Sequence, residues 1–328
     1  MEITAHVVHV HPADSPAALT SAALQAALSA VGTVVEVSAV QCPDVSDDAT
    51  HAPAPRFAGE RLAITGAEVP ALRAAVDAAL ADSGVPTPQD DGGAGRSGET
   101  VAVVPAALTR ADTKLLIMDV DSTLIQQEVI ELLAAHAGRE AEVAEVTEAA
   151  MRGELDFAES LHARVKALAG LDAAVIDEVR QRVAFSPGAR ELVRAFKAAG
   201  HIVAVVSGGF QQILAPWAEE LHLDHALANE LEVIEGRLTG RVVGDVVDRE
   251  AKERHLRAWA AEHGLELSAT IAAGDGANDL DMVSAAGLGV AYCAKPALAV
   301  AADARIDLPR LDLLGVYAGV DVASSTIR

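Results

Sequence analysis

A chain of 328 residues with 51% apolar side chains is long enough for two sizeable cores and too apolar to be disordered. Its formal net charge of −23 and pI near 4.7 exclude nucleic acid and anionic membranes as partners, because such a surface repels both. Anionic substrates are repelled at long range too, so any phosphate site has to be assembled locally from a metal, basic side chains and backbone N–H groups.

The chain starts MEITAHVVHVHP, without the basic start and long apolar core of a signal peptide. Within it, Ile3–Val10 alternates like a strand. Ala17–Ala30 has helical spacing, Thr33–Val40 is strand-like again, and polar breaks keep this Ala-rich run from reading as a membrane span. Cys42–Pro55 is a loop by composition, Arg61–Thr65 a short strand and Val69–Ala81 a helix. Cys42 and Cys293 form no paired framework, which fits a reducing compartment, and a soluble cytoplasmic protein is expected. The order β-α-β-β-α, completed by Thr100–Val104, is similar to that of an ACT-type domain. An ancillary folding or dimerising role is the alternative to a regulatory one, and a homodimer through this domain is expected. Gly84–Thr100 is rich in Pro, Gly and acidic residues and reads as a linker. The division is therefore 1–90, a linker over 91–111, and 112–328.

Beyond the linker, Lys114–Met118 is a continuous apolar strand. Residues 126 to about 182 are almost wholly helical, with breaks near Gly138, Gly153 and Gly170. Pro187-Gly188 opens a helix to Ala199, and His201–Val206 is a second buried strand. Glu230–Val243, with Glu-Gly at 235–236, reads as a hairpin. Glu250–Glu262 is a helix, Ala269–Ala273 and Leu288–Ala291 are strands, Ala297–Ala302 is helical and Arg305–Leu308 a last strand. Strands alternating with helices predict an α/β fold: a Rossmann-like parallel sheet with helices on both faces. The long helical run interrupts that alternation and reads as a cap inserted after the first strand, about 126–185.

Ligands in such sheets bind beyond the carboxyl ends of the strands. Those ends carry Asp119-Val120-Asp121-Ser122-Thr123, Ser207-Gly208-Gly209 and Gly274-Asp275-Gly276-Ala277-Asn278-Asp279, and the helix before the third carries Lys252. Two carboxylates one residue apart at the end of a buried strand repel each other and are costly to desolvate. Phosphoryl transfer through an aspartyl-phosphate accounts for them. One carboxylate attacks phosphorus, another moves the proton, and a hard cation such as Mg2+, held by oxygen ligands, lets two anions meet.

In order and spacing, DVDST, VVSGG, Lys252 and GDGAND resemble the four motifs of the haloacid dehalogenase superfamily of phosphatases. Within it, DVDSTLIQQEVIELLA is similar to the phosphoserine phosphatases. The resemblance implies Asp119 as nucleophile and Asp121 as acid/base. It implies Mg2+ on the Asp119 and Asp275 side chains and the Asp121 carbonyl. Ser207, Gly208, Lys252 and Asn278 would hold the phosphoryl group, Glu128 the substrate ammonium and Arg164 its carboxylate, with Met151 and Phe157 closing over the substrate. Asp279 is expected to support this set from behind. The implied reaction is hydrolysis of O-phospho-L-serine, the last step of serine biosynthesis. The alternatives are a phosphatase or phosphotransferase for another small phosphomonoester, or an amino-acid-sensing protein with an inert catalytic half. Every motif follows the linker, so the catalytic half is expected to work without the first.

Overall fold

The computed structural model describes residues 2–85, 98–152 and 154–323. The first part runs β1 (Ile3–Pro12), α1 (Ser21–Ser29), β2 (Thr33–Ala39), β3 (Phe57–Thr65), α2 (Val69–Asp82) and β4 (Thr100–Pro105). Its strands form an antiparallel sheet in the order β2-β3-β1-β4, the arrangement expected of an ACT-like α+β unit. Alternation along β1 divides the sheet's two faces. Ala5 and Val7 pack with Leu24, Leu28, Leu72 and Val76 of the two helices, while Val8 and Val10 face the rest of the protein. Thr20 starts α1 by accepting a hydrogen bond from the Ala23 N–H.

The linker expected over 91–111 is cut short by structure. Thr100–Pro105 pairs with β1 from Val10–Thr100 to Ala5–Pro105, because its apolar alternation continues the sheet, and Ala106–Arg110 forms α3. Residues 86–97 lie outside the described residues.

The second part contains β5 (Leu115–Met118), then α4 (Val129–His136), α5 (Glu140–Met151), α6 (Phe157–Lys166) and α7 (Val175–Arg180), then α8 (Ala189–Ala198), β6 (Ile202–Phe210) and α9 (Gln211–Glu220). There follow β7 (His225–Ile234), β8 (Arg237–Val243), α10 (Arg249–Glu262), β9 (Thr270–Gly274), α11 (Leu280–Ala285), β10 (Leu288–Tyr292), α12 (Pro296–Ala301), β11 (Ala304–Ile306) and α13 (Leu313–Ala318). The sheet order is β11-β10-β9-β5-β6-β7-β8, parallel except for the β7–β8 hairpin. Glu235 and Gly236 both have positive φ there, as a tight hairpin turn requires. β5 lies in the middle, and its side chains alternate between two cores. Leu115 and Ile117 pack on the α10 side, Leu116 and Met118 on the other. A strand buried on both faces has to be apolar throughout, which is why LLIM reads as an unbroken run.

Helices α4–α7 form the inserted cap. The chain leaves and re-enters the sheet side by side, with Ile125 bridged to Phe185, the Gln126 N–H bonded to the Ala184 carbonyl and the Ser186 N–H to that of Leu124. The β7–β8 hairpin braces the far side of the cap, where Leu238 exchanges backbone hydrogen bonds with Gly170 and Leu171.

The first part does not stand apart from the second. Phe57, Val8, Val10 and Val104 belong to the same apolar cluster as Leu311, Leu314 and Tyr317. At the centre of the contact Arg310 is fully buried, with Nε and Nη2 on Asp312 at 2.8 and 2.7 Å. It also donates to the Pro55 carbonyl at 2.8 Å and the Pro43 carbonyl at 3.1 Å, and its guanidinium lies 4.9 Å from the centre of the Phe57 ring. Tyr317, also fully buried, hydrogen-bonds Thr100 at 2.9 Å and the Arg305 carbonyl at 2.8 Å. The expected independence of the catalytic half is therefore opposed by a shared core, which cutting the chain near Ala106 would expose. Arg310→Leu should destabilise the protein by about 3–5 kcal/mol, since it leaves a buried carboxylate unpaired. Arg56→Leu, at an exposed ion pair, should cost under about 0.5 kcal/mol. Urea midpoints of the two variants test this, and an unshifted Arg310→Leu midpoint would refute the docking role.

Candidate active site

The chain turns sharply where β5 ends. Asp119 accepts a hydrogen bond from the Val120 N–H at 2.6 Å, and Ser122 takes φ 55°, a left-handed conformation uncommon for serine. The turn aims both aspartates at the sheet's carboxyl edge. Asp119 Oδ2 lies 2.8 Å from Lys252 Nζ and 3.4 Å from Asn278 Nδ2. Asp121 accepts from the Val129 N–H at 2.8 Å, at the start of α4, and from the Ser207 hydroxyl at 3.2 Å. The Ser207 oxygen in turn accepts from the Gly209 N–H at 2.8 Å.

Lys252 sits in the first turn of α10 and is fully buried. Besides Asp119 it contacts Asp279 at 2.7 Å, whose other oxygen accepts from the N–H groups of Asp275 and Gly276. Burial alone would lower the Lys252 pKa, yet the two carboxylates raise it, so the ammonium stays charged. Asp275 is buried beside this group, and its Oδ1 has no hydrogen-bond partner among the described residues. Oxygens of Asp119, Asp275 and Asp279 lie within 4.8 Å of one another. Burial, then the charge of Asp279, pushes the Asp119 carboxyl up to about 7. Burial, then Glu128, raises Asp275 well above the usual carboxylate range. Three crowded carboxylates with an orphan acceptor suit a hard divalent cation.

The cap covers a cavity over Asp119 and Asp121. Its walls include Glu128, Thr147, Phe157, Leu161, Arg164, Gly208 and Asn278. Arg164, on α6, is buried and forms no ion pair within 4 Å among the described residues. It donates to the Ser160 carbonyl at 3.1 Å and to the Thr147 hydroxyl at 3.1 Å. Glu128 stands at the N-cap position of α4 and accepts from the Ser122 hydroxyl at 2.6 Å; burial, then Asp121, pushes its carboxyl up to about 8. The cavity thus presents a guanidinium and a carboxyl group above an aspartate floor.

The structure brings Asp119, Asp121, Glu128, Phe157, Arg164, Gly208 and Asn278 to one cavity, with Ser207, Lys252 and Asp275 in contact behind its floor. Met151 ends α5, and its side chain lies outside the described residues. Two positions escaped the sequence reading. Thr147 orients Arg164 from another helix, 17 residues away, and nothing local marks it. Ser122 orients Glu128; its place inside DVDST was the available signal. The glycine pair has a steric reason. A Cβ on Gly208 would lie 2.4 Å from the Phe157 ring, and one on Gly209 2.5 Å from Asp121 Oδ2.

The chain belongs to the haloacid dehalogenase-like hydrolases, whose pattern matches residues 116–284. Among curated proteins it is 54% identical over 259 residues to a phosphoserine phosphatase of Streptomyces coelicolor, covering 79% of this chain and 60% of that one. This chain therefore spans less than two thirds of that relative's length. It is 52% identical over 197 residues to a phosphoserine phosphatase of Streptococcus thermophilus, covering 60% of this chain and 92% of the other. Among solved structures, a phospho-aspartyl intermediate analogue of phosphoserine phosphatase superposes with a TM-score of 0.61 at 42% identity, over 62% of this chain and 98% of that one.

Gly209→Ala should lower the hydrolase activity about a hundredfold, because a displacement of about 1 Å at Asp121 is enough for that loss. The melting temperature should move little. Full activity in the purified variant would show that the Asp121–Ser207 contact is dispensable.

Proposed function

We propose that the protein is a Mg2+-dependent phosphatase that hydrolyses O-phospho-L-serine to L-serine and phosphate. The observation that carries this reading is the cap-covered cavity in which the Glu128 carboxyl and a buried Arg164, without an ion pair within 4 Å among the described residues, face the aspartate floor. An amino acid zwitterion needs both groups, since its carboxylate and its ammonium require opposite partners. The phosphoserine phosphatases to which the chain is similar support the same substrate. No helix among the described residues is long and apolar enough to cross a membrane. Exposed Val35 and Val37 on the edge strand β2 support the expected homodimer.

The Asp119 and Asp275 carboxylates and the Asp121 carbonyl would hold Mg2+, for which the orphan oxygen of Asp275 and the crowded carboxylates fit. Bound there, the cation offsets the repulsion between two anions and polarises the phosphoryl group. Asp119 attacks phosphorus and forms an aspartyl-phosphate as the bond to the serine oxygen breaks. Asp121, whose carboxyl burial raises above its ordinary range, gives its proton to that leaving oxygen. It then takes a proton from the water that attacks the aspartyl-phosphate, which releases phosphate and restores Asp119. Lys252, held by Asp279, and the Ser207-Gly208 turn steady the phosphoryl oxygens. Asn278 orients Asp119, and Phe157 excludes water from above.

Asp119→Asn should abolish phosphate release from phosphoserine, because an amide is a poor nucleophile. Asp121→Asn should also cripple turnover while retaining the metal carbonyl; near-normal rates in either variant would overturn its assignment. Arg164→Ala should raise KM for phosphoserine about ten- to a hundredfold, the equivalent of ~1.5–3 kcal/mol for a charge-assisted contact. A phosphate ester without a carboxylate should be nearly unaffected, and an equal effect on both esters would deny Arg164 its role. The cation has to displace protons from Asp119 and Asp275, whose pKa values are raised in the cation-free fold. Mg2+ affinity should therefore rise as pH increases through about 7, measured as the Mg2+-induced gain in melting temperature. A gain independent of pH between 5.5 and 8 would contradict this.

A further inference from the structure

The C-terminal end of α10 carries a second set of possible metal ligands, unrelated to the aspartate cluster. His225 opens β7, Glu262 is the last residue of α10 and His263 is its C-cap. The Nε2 atoms of the two histidines are 2.8 Å apart, and a ring nitrogen of each histidine and a Glu262 carboxylate oxygen lie within 4.8 Å of one another. His225 is the fixed member. Its ring stacks on Trp259 at 4.8 Å with a 13° tilt, and meets the His263 ring edge-on at 5.1 Å and 72°.

We propose that His225, His263 and Glu262 form a binding site for a transition-metal ion of the Zn2+ or Ni2+ class, with the remaining position open to water. Two imidazoles and one carboxylate are the donor set that zinc takes, and imidazole favours such ions over Mg2+. Two nitrogens at about 2.0–2.1 Å from a tetrahedral zinc stand about 3.3 Å apart. The rings therefore have to separate by only about half an ångström. Glu262 and His263 are exposed and His225 is half-buried, so side-chain rotation can supply that movement. Two further features favour a cation here: the helix dipole is negative at its C-terminal end, and the protein carries a net charge of −23. An ion at this site would tie the start of β7 to the far end of the helix whose first turn holds Lys252. The chain would then sort two kinds of metal by ligand hardness, all-oxygen at the sheet edge and nitrogen-rich here.

The alternative is a plain hydrogen bond between two neutral imidazoles, and Trp259 can separate the two readings. The chain has two tryptophans, and Trp259 is in contact with the proposed ligand His225. Ni2+ is titrated into the untagged full-length protein in saturating Mg2+, which fills the aspartate site, while tryptophan fluorescence is followed. Saturable quenching at one equivalent is expected. It should weaken more than about tenfold in His263→Ala. It should weaken equally in His225→Phe, which keeps an aromatic ring on Trp259 but removes the nitrogen. Circular dichroism of both variants should match the parent protein, and Zn2+ should raise the melting temperature of the parent alone. Absence of saturable quenching, or quenching undiminished in either variant, would overturn the proposal.

Discussion

Lys252 is fully buried, with its ammonium 2.8 Å from Asp119 and 2.7 Å from Asp279. Such a charge is tolerable only because both carboxylates accept from it. The carboxylates are tolerable there only because the ammonium is present. Asp279 passes this dependence on by accepting two N–H groups of the turn after β9, which fixes Asp275. The positions of Asp119 and Asp275, from two neighbouring strands, thus rest on one side chain delivered by a helix. The ammonium does not neutralise the cluster: Asp119 and Asp275 remain hard to ionise. The residual strain is the reason a divalent cation suits the site.

The cap addresses a different problem. A surface of this charge repels any anionic ligand, so recognition of one would have to come from a few groups kept away from bulk water. Arg164 is such a group. Thr147 and Ser160 hold its fork, yet among the described residues no carboxylate within 4 Å pairs with it. A buried guanidinium without an ion-pair partner is costly, and its pKa is lowered by burial, so a bound carboxylate would relieve the site as well as be held by it. Gly208 lets the cap approach closely, since a side chain there would strike Phe157, and Gly209 leaves room for the Asp121 carboxylate.

The ACT-like sheet is built into the fold more firmly than a tethered module would be. Its second face is covered by the catalytic part, and Arg310 satisfies two prolyl carbonyls in the Cys42–Pro55 loop. The same loop reaches the base of the cap. Asp47 accepts from Gln126 at 3.0 Å, and that amide also donates to the Phe185 carbonyl at 2.9 Å. The two chain segments that carry the cap are therefore held partly by the first part of the protein.

The sequence by itself determined the central strands, because a strand buried on both faces must be apolar, as Leu115–Met118 and Ile271–Ala273 are. It determined the hairpin at Glu235-Gly236, where glycine adopts a positive φ without steric cost. It also determined which carboxylates and hydroxyl stand at the strand ends and which helix lysine joins them, since motif order along the chain survives folding. Helices α3, α9, α11 and α13 escaped that reading; they are short or weakly periodic, and packing stabilises them more than their own pattern does. Only the tertiary structure decided that Asp121 meets Ser207 across 86 residues, that Thr147 steers Arg164, and that Arg310 joins the two parts across 255 residues to Pro55. It alone brought His225 to His263, 38 residues on. Each is a contact between residues far apart in the chain, fixed by how the surrounding elements pack, and such pairings leave no periodicity or composition in the chain from which to read them.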